Sequence, residues 1–120
     1  MTITDGTLLL HNPRCSKSRL ALQMLEESGA EFSVREYLND PLSRAELDDL
    51  QALLDLPPRE WVRTGEADWA LAGLSAGADA AEVLDAMAQW PKLMQRPILI
   101  RGGEARIGRP PENLRELLDS

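Results

Sequence analysis

Apolar patterning begins with Thr7-Leu-Leu-Leu-His11, a short run without polar alternation that stops at Asn12-Pro13. Such a run predicts a strand buried on both faces. From Ser16 to Ser28 the spacing turns helical, with Leu20, Met24 and Leu25 recurring and Gly29 where a C-cap belongs. Phe32-Ser-Val-Arg-Glu-Tyr37 returns to alternation through Phe32 and Val34. Strand, helix and strand then form a right-handed βαβ unit whose two strands are parallel. Ser43-Arg-Ala-Glu46 is a capping box, and Leu47, Leu50, Leu53 and Leu54 continue an apolar face until Pro57-Pro58 stops it. Pro58 starts a short helix through Trp61 and Val62, and Asp79-Ala-Ala-Glu82 caps another that carries Val83, Met87 and Trp90 before Pro91. Ile98-Leu-Ile100 and Ala105-Arg-Ile107 flank Arg101-Gly-Gly-Glu104, which predicts an antiparallel hairpin. Pro110-Pro111 opens a last helix with Leu114, Leu117 and Leu118. The order β-α-β, helical block, β-β, α predicts an α/β sandwich with a mixed sheet of about four strands.

Composition adds limits to that outline. With 120 residues, 43% apolar and 28% charged, and no low-complexity tract or repeat, the chain reads as one domain spanning 1–120. A formal net charge of -7 opposes general binding to nucleic acid or to anionic membranes. The N-terminal MTITDGTLLL lacks the basic and long apolar regions of a signal peptide, and no apolar run approaches the ~20 residues of a membrane span. The expected location is therefore cytoplasmic. A single cysteine forms no internal disulfide, and one cysteine with one histidine does not build a zinc site from soft ligands, so no metal is expected.

That cysteine and that histidine stand close together in His11-Asn-Pro-Arg-Cys-Ser-Lys-Ser-Arg19. Cys15 falls between the predicted strand and the predicted helix, where free backbone N–H groups and the helix dipole favour negative charge. Such sites lower a cysteine pKa from about 8.5 into a range of roughly 3.5 to 7.5. Arg14, Lys17 and Arg19 add cations, and the helix start can hold an anionic substrate through its amides and the hydroxyls of Ser16 and Ser18. A lone cysteine is more often a small buried hydrophobe, but its Arg, Lys and Ser neighbours argue otherwise here. His11 either biases the thiolate or orients Asn12, or serves as hydrogen-bonded scaffolding. Cys15-Ser-Lys-Ser18 carries a hydroxyl where a dithiol oxidoreductase keeps its second thiol, which excludes self-contained disulfide exchange. Ala21 occupies the position where a tyrosine-phosphatase-type loop needs arginine. An oxyanion held against Cys15 must recruit arginines from elsewhere. Trp61, Trp69 and Trp90 belong to the core of the helical block.

Four ordered segments, "HNPRCSKSR" at 11–19, "EYLNDPLSRAEL" at 36–47, "KLMQRPILI" at 92–100 and "ARIGRPPENL" at 105–114, resemble the glutaredoxin-linked arsenate reductase family of the thioredoxin superfamily. The resemblance covers nearly the whole chain. It implies a thioredoxin-like fold, a mixed four-stranded sheet flanked by helices, with a helical insertion at about residues 43–91. It implies reduction of arsenate to arsenite with Cys15 as nucleophile, glutathione as co-substrate attacking the cysteine-arsenic intermediate, glutaredoxin as partner and no bound cofactor. The family's oxyanion-binding arginines fall on Arg63, Arg96 and Arg109, and Arg's planar, permanently charged fork suits a tetrahedral anion. Pro97 resembles the proline that thioredoxin-like domains hold in cis beside the active cysteine, which would set Arg96 near Cys15. Ser16-Lys17-Ser18 stands where characterised members usually have Gly-Thr-Ser, and the "NPRCSKSR" form resembles a separate branch. Two other readings share the fold: a glutathione-dependent thiol transferase without arsenic chemistry, and a non-enzymatic redox regulator that binds RNA polymerase. Loss of the second thiol at Ser18 weighs against the latter.

Overall fold

A computed structural model describes residues 6–74 and 77–118. Strands β1 (Thr7–His11), β2 (Ser33–Glu36), β3 (Ile98–Arg101) and β4 (Glu104–Ile107) form one sheet in the spatial order β2-β1-β3-β4. β1 and β2 are parallel and joined through helix α1 (Ser16–Ser28), while β3 runs antiparallel to both β1 and β4. A mixed four-stranded sheet flanked by helices is the thioredoxin-like arrangement expected from the sequence.

Strand register divides the core into two layers. Leu9 pairs with Leu99, and both pack with Ala21 and Leu25 of α1 and with Leu114 and Leu117 near the C-terminal helix. Leu10, Ile98 and Ile100 belong to the other layer, packed under the helices that connect β2 to β3. Side chains alternate between faces along a strand, so burial on both sides requires an apolar residue at each position. That is why β1 and β3 read as unbroken apolar runs. Each buried leucine or isoleucine contributes about 1.5–3 kcal/mol.

The connecting block contains α2 (Arg44–Leu54), α3 (Ala67–Leu71) and α4 (Ala80–Gln89), with 3-10 turns at Pro58–Glu60 and Pro91–Leu93. Both expected capping boxes are present, Ser43 with Glu46 and Asp79 with Glu82. Arg35 of β2 forks onto Glu46 at 2.6 and 3.0 Å, which fastens the start of α2 to the sheet edge. Trp61 is fully buried and its indole N–H donates to the Leu56 carbonyl at 3.3 Å, while Trp69 and Trp90 pack against the same core. The chain then ends in a 3-10 turn, Pro111–Leu114, continuing into α5 (Arg115–Leu118). Among the described residues no helix is long and apolar enough to cross a membrane.

Some local readings differ. Val34 is 43% exposed, because β2 is the edge strand and its alternation does not face two layers. Leu20 is 50% exposed; the buried stripe of α1 is Ser18, Ala21 and Leu25, with a serine in the place an apolar residue would normally take. The helix expected from Pro58 through Val62 is one turn that ends before Trp61, since Val62 instead forms an antiparallel bridge with Met94. α3 has neither a side-chain cap nor a buried residue, so it left no pattern to read.

The loop before β3 and the loop after β4 meet at Gly108. Its N–H donates to the Pro97 carbonyl at 2.8 Å, and a Cβ at this position would stand 2.8 Å from Pro97 Cγ and 3.0 Å from Leu114 Cδ1. Only glycine permits that approach. Gly108→Ala should therefore destabilise the protein by about 1–3 kcal/mol, as overpacking does. The check is a lower urea midpoint at unchanged slope; an unshifted midpoint would mean that the contact yields freely.

Candidate active site

Antiparallel pairing of β1 with β3 sets Leu10 opposite Ile98. The chain leaving β1 thus passes the chain entering β3, and residues 12–15 come beside Arg96-Pro97. The Arg96-Pro97 peptide bond is cis, as expected, and so is Arg109-Pro110. Cys15 is the N-cap residue of α1, in extended conformation, and its N–H closes a turn onto the Asn12 carbonyl at 3.0 Å.

Burial pushes the Cys15 thiol up, but the backbone N–H groups of Ser18 and Lys17 outweigh it together with the charge of Arg96 and a hydrogen-bonding contact from its guanidinium. The thiol therefore sits below its ordinary value. Cys15 is a free cysteine and only half-buried, so its sulfur is not sealed in the core. The cation that acts on it is Arg96, brought from elsewhere in the chain, and not the neighbours Arg14, Lys17 and Arg19. Lys17 contributes through its backbone, and Arg19 Nη1 turns away to the Pro13 carbonyl at 3.0 Å. Nε and Nη1 of Arg96 are buried without a partner among the described residues, which leaves donors of its fork uncommitted.

Ser18 and His11 shape the loop from within. Ser18 Oγ accepts the Asn12 N–H at 2.9 Å and lies 2.7 Å from His11 Nδ1. The Ser18 hydroxyl thus ties the Asn12 amide to the His11 ring. Burial lowers the His11 pKa, against an upward pull from Glu36, and keeps the ring neutral. Ser18 is 0% exposed, so its hydroxyl holds the loop and does not reach a ligand. His11 is not among the groups that set the Cys15 thiol. Ser16 is exposed at the first position of α1.

Arg63, Arg96 and Arg109 line one open cleft of about 440 Å³ with Val62, Thr64 and Gln95. Two backbone links bring them together. The Val62–Met94 bridge, with Arg63 N–H to the Leu93 carbonyl at 2.6 Å and Gln95 N–H to the Trp61 carbonyl at 2.9 Å, carries Arg63 to Arg96. The Gly108–Pro97 bond carries Arg109 there. Arg63 also pairs with Glu66 at 2.5 Å. A second cleft shares Arg63, Glu66 and Arg96 with the first and adds Asn12, Arg14, Tyr37, Leu38 and Lys92.

Tyr37 is a residue that sequence reasoning missed. It is 1% exposed; burial pushes its phenol up to about 12, against the charges of Arg96 and Arg63 and the Asn12 side-chain amide. It is therefore a neutral O–H beside cations. Its signal was the parallel register: His11 pairs with Glu36, so the residues that follow, Asn12 and Tyr37, emerge side by side at the C-terminal ends of the strands. That end is where open α/β sheets bind ligands.

The ArsC family pattern matches residues 10–117. The chain belongs to the ArsC family. Among its relatives, the uncharacterized protein YfgD of Escherichia coli is 42% identical over 97% of this chain and 99% of that protein. An arsenate reductase of Neisseria meningitidis is 40% identical over 92% of this chain and 96% of that protein. The solved structure of an arsenate reductase from Vibrio cholerae superposes with a TM-score of 0.88 at 38% identity, covering 93% of this chain and 97% of that one. In this ArsC-family chain the matched span includes Cys15, the three arginines and Tyr37.

Because the amides and Arg96 hold the thiol low, alkylation of Cys15 by iodoacetamide should titrate with a midpoint below about 8.5. Arg96→Met should move that midpoint upward, since the thiolate loses its cation. Equal midpoints in the two proteins would remove Arg96 from the sulfur's surroundings.

Proposed function

We propose that this chain is an arsenate reductase that works with glutathione and glutaredoxin. The observation that carries the reading is the meeting of Cys15, its thiol held below the ordinary value, with Arg96, a buried guanidinium with uncommitted donors that shares its cleft with Arg63 and Arg109. The kinship with proteins named arsenate reductases supports the choice of oxyanion.

In the proposed cycle the arginines hold arsenate, and the Cys15 thiolate attacks arsenic while an oxygen leaves as water. Arginine suits this task because bidentate, charge-assisted hydrogen bonds persist through the change in bonding at the central atom. Arsenic is still pentavalent in that adduct. Two electrons reduce it to arsenite, and they are balanced by oxidation of two thiols to a disulfide. Cys15 is the only cysteine, and position 18 carries a hydroxyl, so the chain cannot form that disulfide within itself, and in the proposed route both thiols come from outside. Glutathione adds to arsenic with loss of a second water. The glutaredoxin thiolate then attacks the glutathione sulfur, so the S–As bond pair stays on arsenic as As(III) and a glutathione–glutaredoxin mixed disulfide leaves. Water displaces the Cys15 thiolate to release arsenite. Such a cycle fits a reducing, thiol-rich compartment, the cytoplasm.

Multiple turnovers of arsenate should occur with glutathione, glutaredoxin and a glutathione-reducing system, followed as arsenite formed, and few with thioredoxin and its reductase alone. Cys15→Ser should abolish them. Arg96→Ala or Arg109→Ala should raise the barrier by about 1.5–3 kcal/mol in kcat/KM, the scale of a charged hydrogen bond. Equal turnover with thioredoxin would overturn the electron route. No arsenite under either system, with Cys15 reactive, would favour the thiol transferase.

A further inference from the structure

The three arginines account for a small tetrahedral anion, yet they do not account for all the positive charge at the site. The second cleft, about 230 Å³, shares Arg63 and Arg96 with the first and adds Asn12, Arg14, Tyr37, Leu38, Glu66 and Lys92. Arg14 and Lys92 are exposed, and neither side chain has an ion pair or hydrogen bond among the described residues. Elsewhere Arg35, Arg44 and Arg106 are paired with carboxylates. The one carboxylate in this cleft, Glu66, is already bound to Arg63. In a chain of net charge -7, four cations around one small cleft form a local attractor for anions.

We propose that this second cleft is the binding subsite of the thiol co-substrate, and that Arg14 and Lys92 hold the carboxylates of glutathione while its sulfur reaches the adduct on Cys15. The assignment rests on the thiol-dependent reaction proposed above. Charge and position both favour it. Glutathione carries two carboxylates on a flexible backbone, whereas arsenate is compact and is met by the arginines of the first cleft. Asn12 and Tyr37 lie on the Cys15 side of the second cleft: Asn12 accepts the Cys15 N–H, and the Tyr37 phenol feels the Cys15 charge. Asn12 and Arg14 line the cleft and stand within three residues of Cys15, so a peptide anchored on Arg14 and Lys92 is held beside the segment that carries the sulfur.

The test uses the full chain and S-methylglutathione, which has the carboxylates of glutathione but no reactive thiol. Its binding is measured by calorimetry for the wild type, for Arg14→Glu/Lys92→Glu, and for Arg115→Glu, a reversal of an exposed charge outside the cleft. The double reversal should weaken binding roughly 10-fold or more, the size of a lost charged contact, and added salt should weaken wild-type binding. Arg115→Glu should leave it unchanged. In steady state the double variant should raise KM for glutathione by a similar factor, while KM for arsenate changes much less. Equal binding in the double variant, equal weakening by Arg115→Glu, or no binding of millimolar S-methylglutathione to the wild type would each overturn the subsite. A larger rise in KM for arsenate than for glutathione would also overturn it, by placing the oxyanion in this cleft. The two readings fail separately. Arsenate turnover that is indifferent to Arg14 and Lys92 sinks the subsite alone, whereas charge-dependent S-methylglutathione binding without arsenate turnover sinks the arsenic chemistry alone.

Discussion

The antiparallel pairing of β1 with β3 is the constraint on which the site depends. It is buried from both sides, by the α1 layer and by the helical block, so neither strand can slip by one residue without exchanging its two apolar faces. With Leu9 fixed against Leu99 and Leu10 against Ile98, the segment after His11 has one place to go, beside Arg96-Pro97. Cys15 and Arg96 are 81 positions apart in the sequence, and sheet register alone makes them neighbours.

Around that fixed pair the chain solves an electrostatic problem. A chain with twenty acidic residues repels anions, and the chemistry proposed for Cys15 needs them. The answer is local: helix amides and Arg96 on the sulfur, then Arg63 and Arg109 delivered by short backbone links. Those links are modest in area but directional. A bridge of single residues, Val62 with Met94, and a bond from Gly108 to Pro97 set where two guanidinium groups begin. The arginines are thus positioned from their backbones outward, as preorganised binding requires.

Most of the fold was legible because its signals are local. Unbroken apolar runs gave β1 and β3, the Ser43 and Asp79 boxes gave the starts of α2 and α4, and paired glycines gave the β3–β4 turn. The misreadings have physical causes. Val34 alternates correctly for a strand, but no sequence rule says which strand lies at the edge. Leu20 has helical spacing, yet Ser18 takes the buried position because its hydroxyl is needed inside the loop. At the site, Cys15 was evident from its place before a helix, whereas the cation that acts on it was not, because proximity in sequence to Arg14, Lys17 and Arg19 says nothing of where those side chains turn. Arg63, Arg96 and Arg109 could be named only through family resemblance. Tyr37 and Lys92 fall within segments that carry the family resemblance, but nothing there gave them a role, and they became visible when parallel register and the cleft were known.

Ser18 also limits how this scaffold could be redesigned. In the proposed cycle its position is the one where a second thiol would make the chain self-resolving, so replacement by cysteine looks like a one-step route to independence from external thiols. The hydroxyl at that point is buried and holds the Asn12 amide at 2.9 Å and His11 at 2.7 Å. Sulfur is larger and a weaker acceptor, with longer contacts. A cysteine there would gain a redox partner for Cys15 while loosening the loop that presents Cys15. Redox autonomy and loop geometry therefore compete for a single atom, and an engineered dithiol form would need a second substitution to hold Asn12 in place.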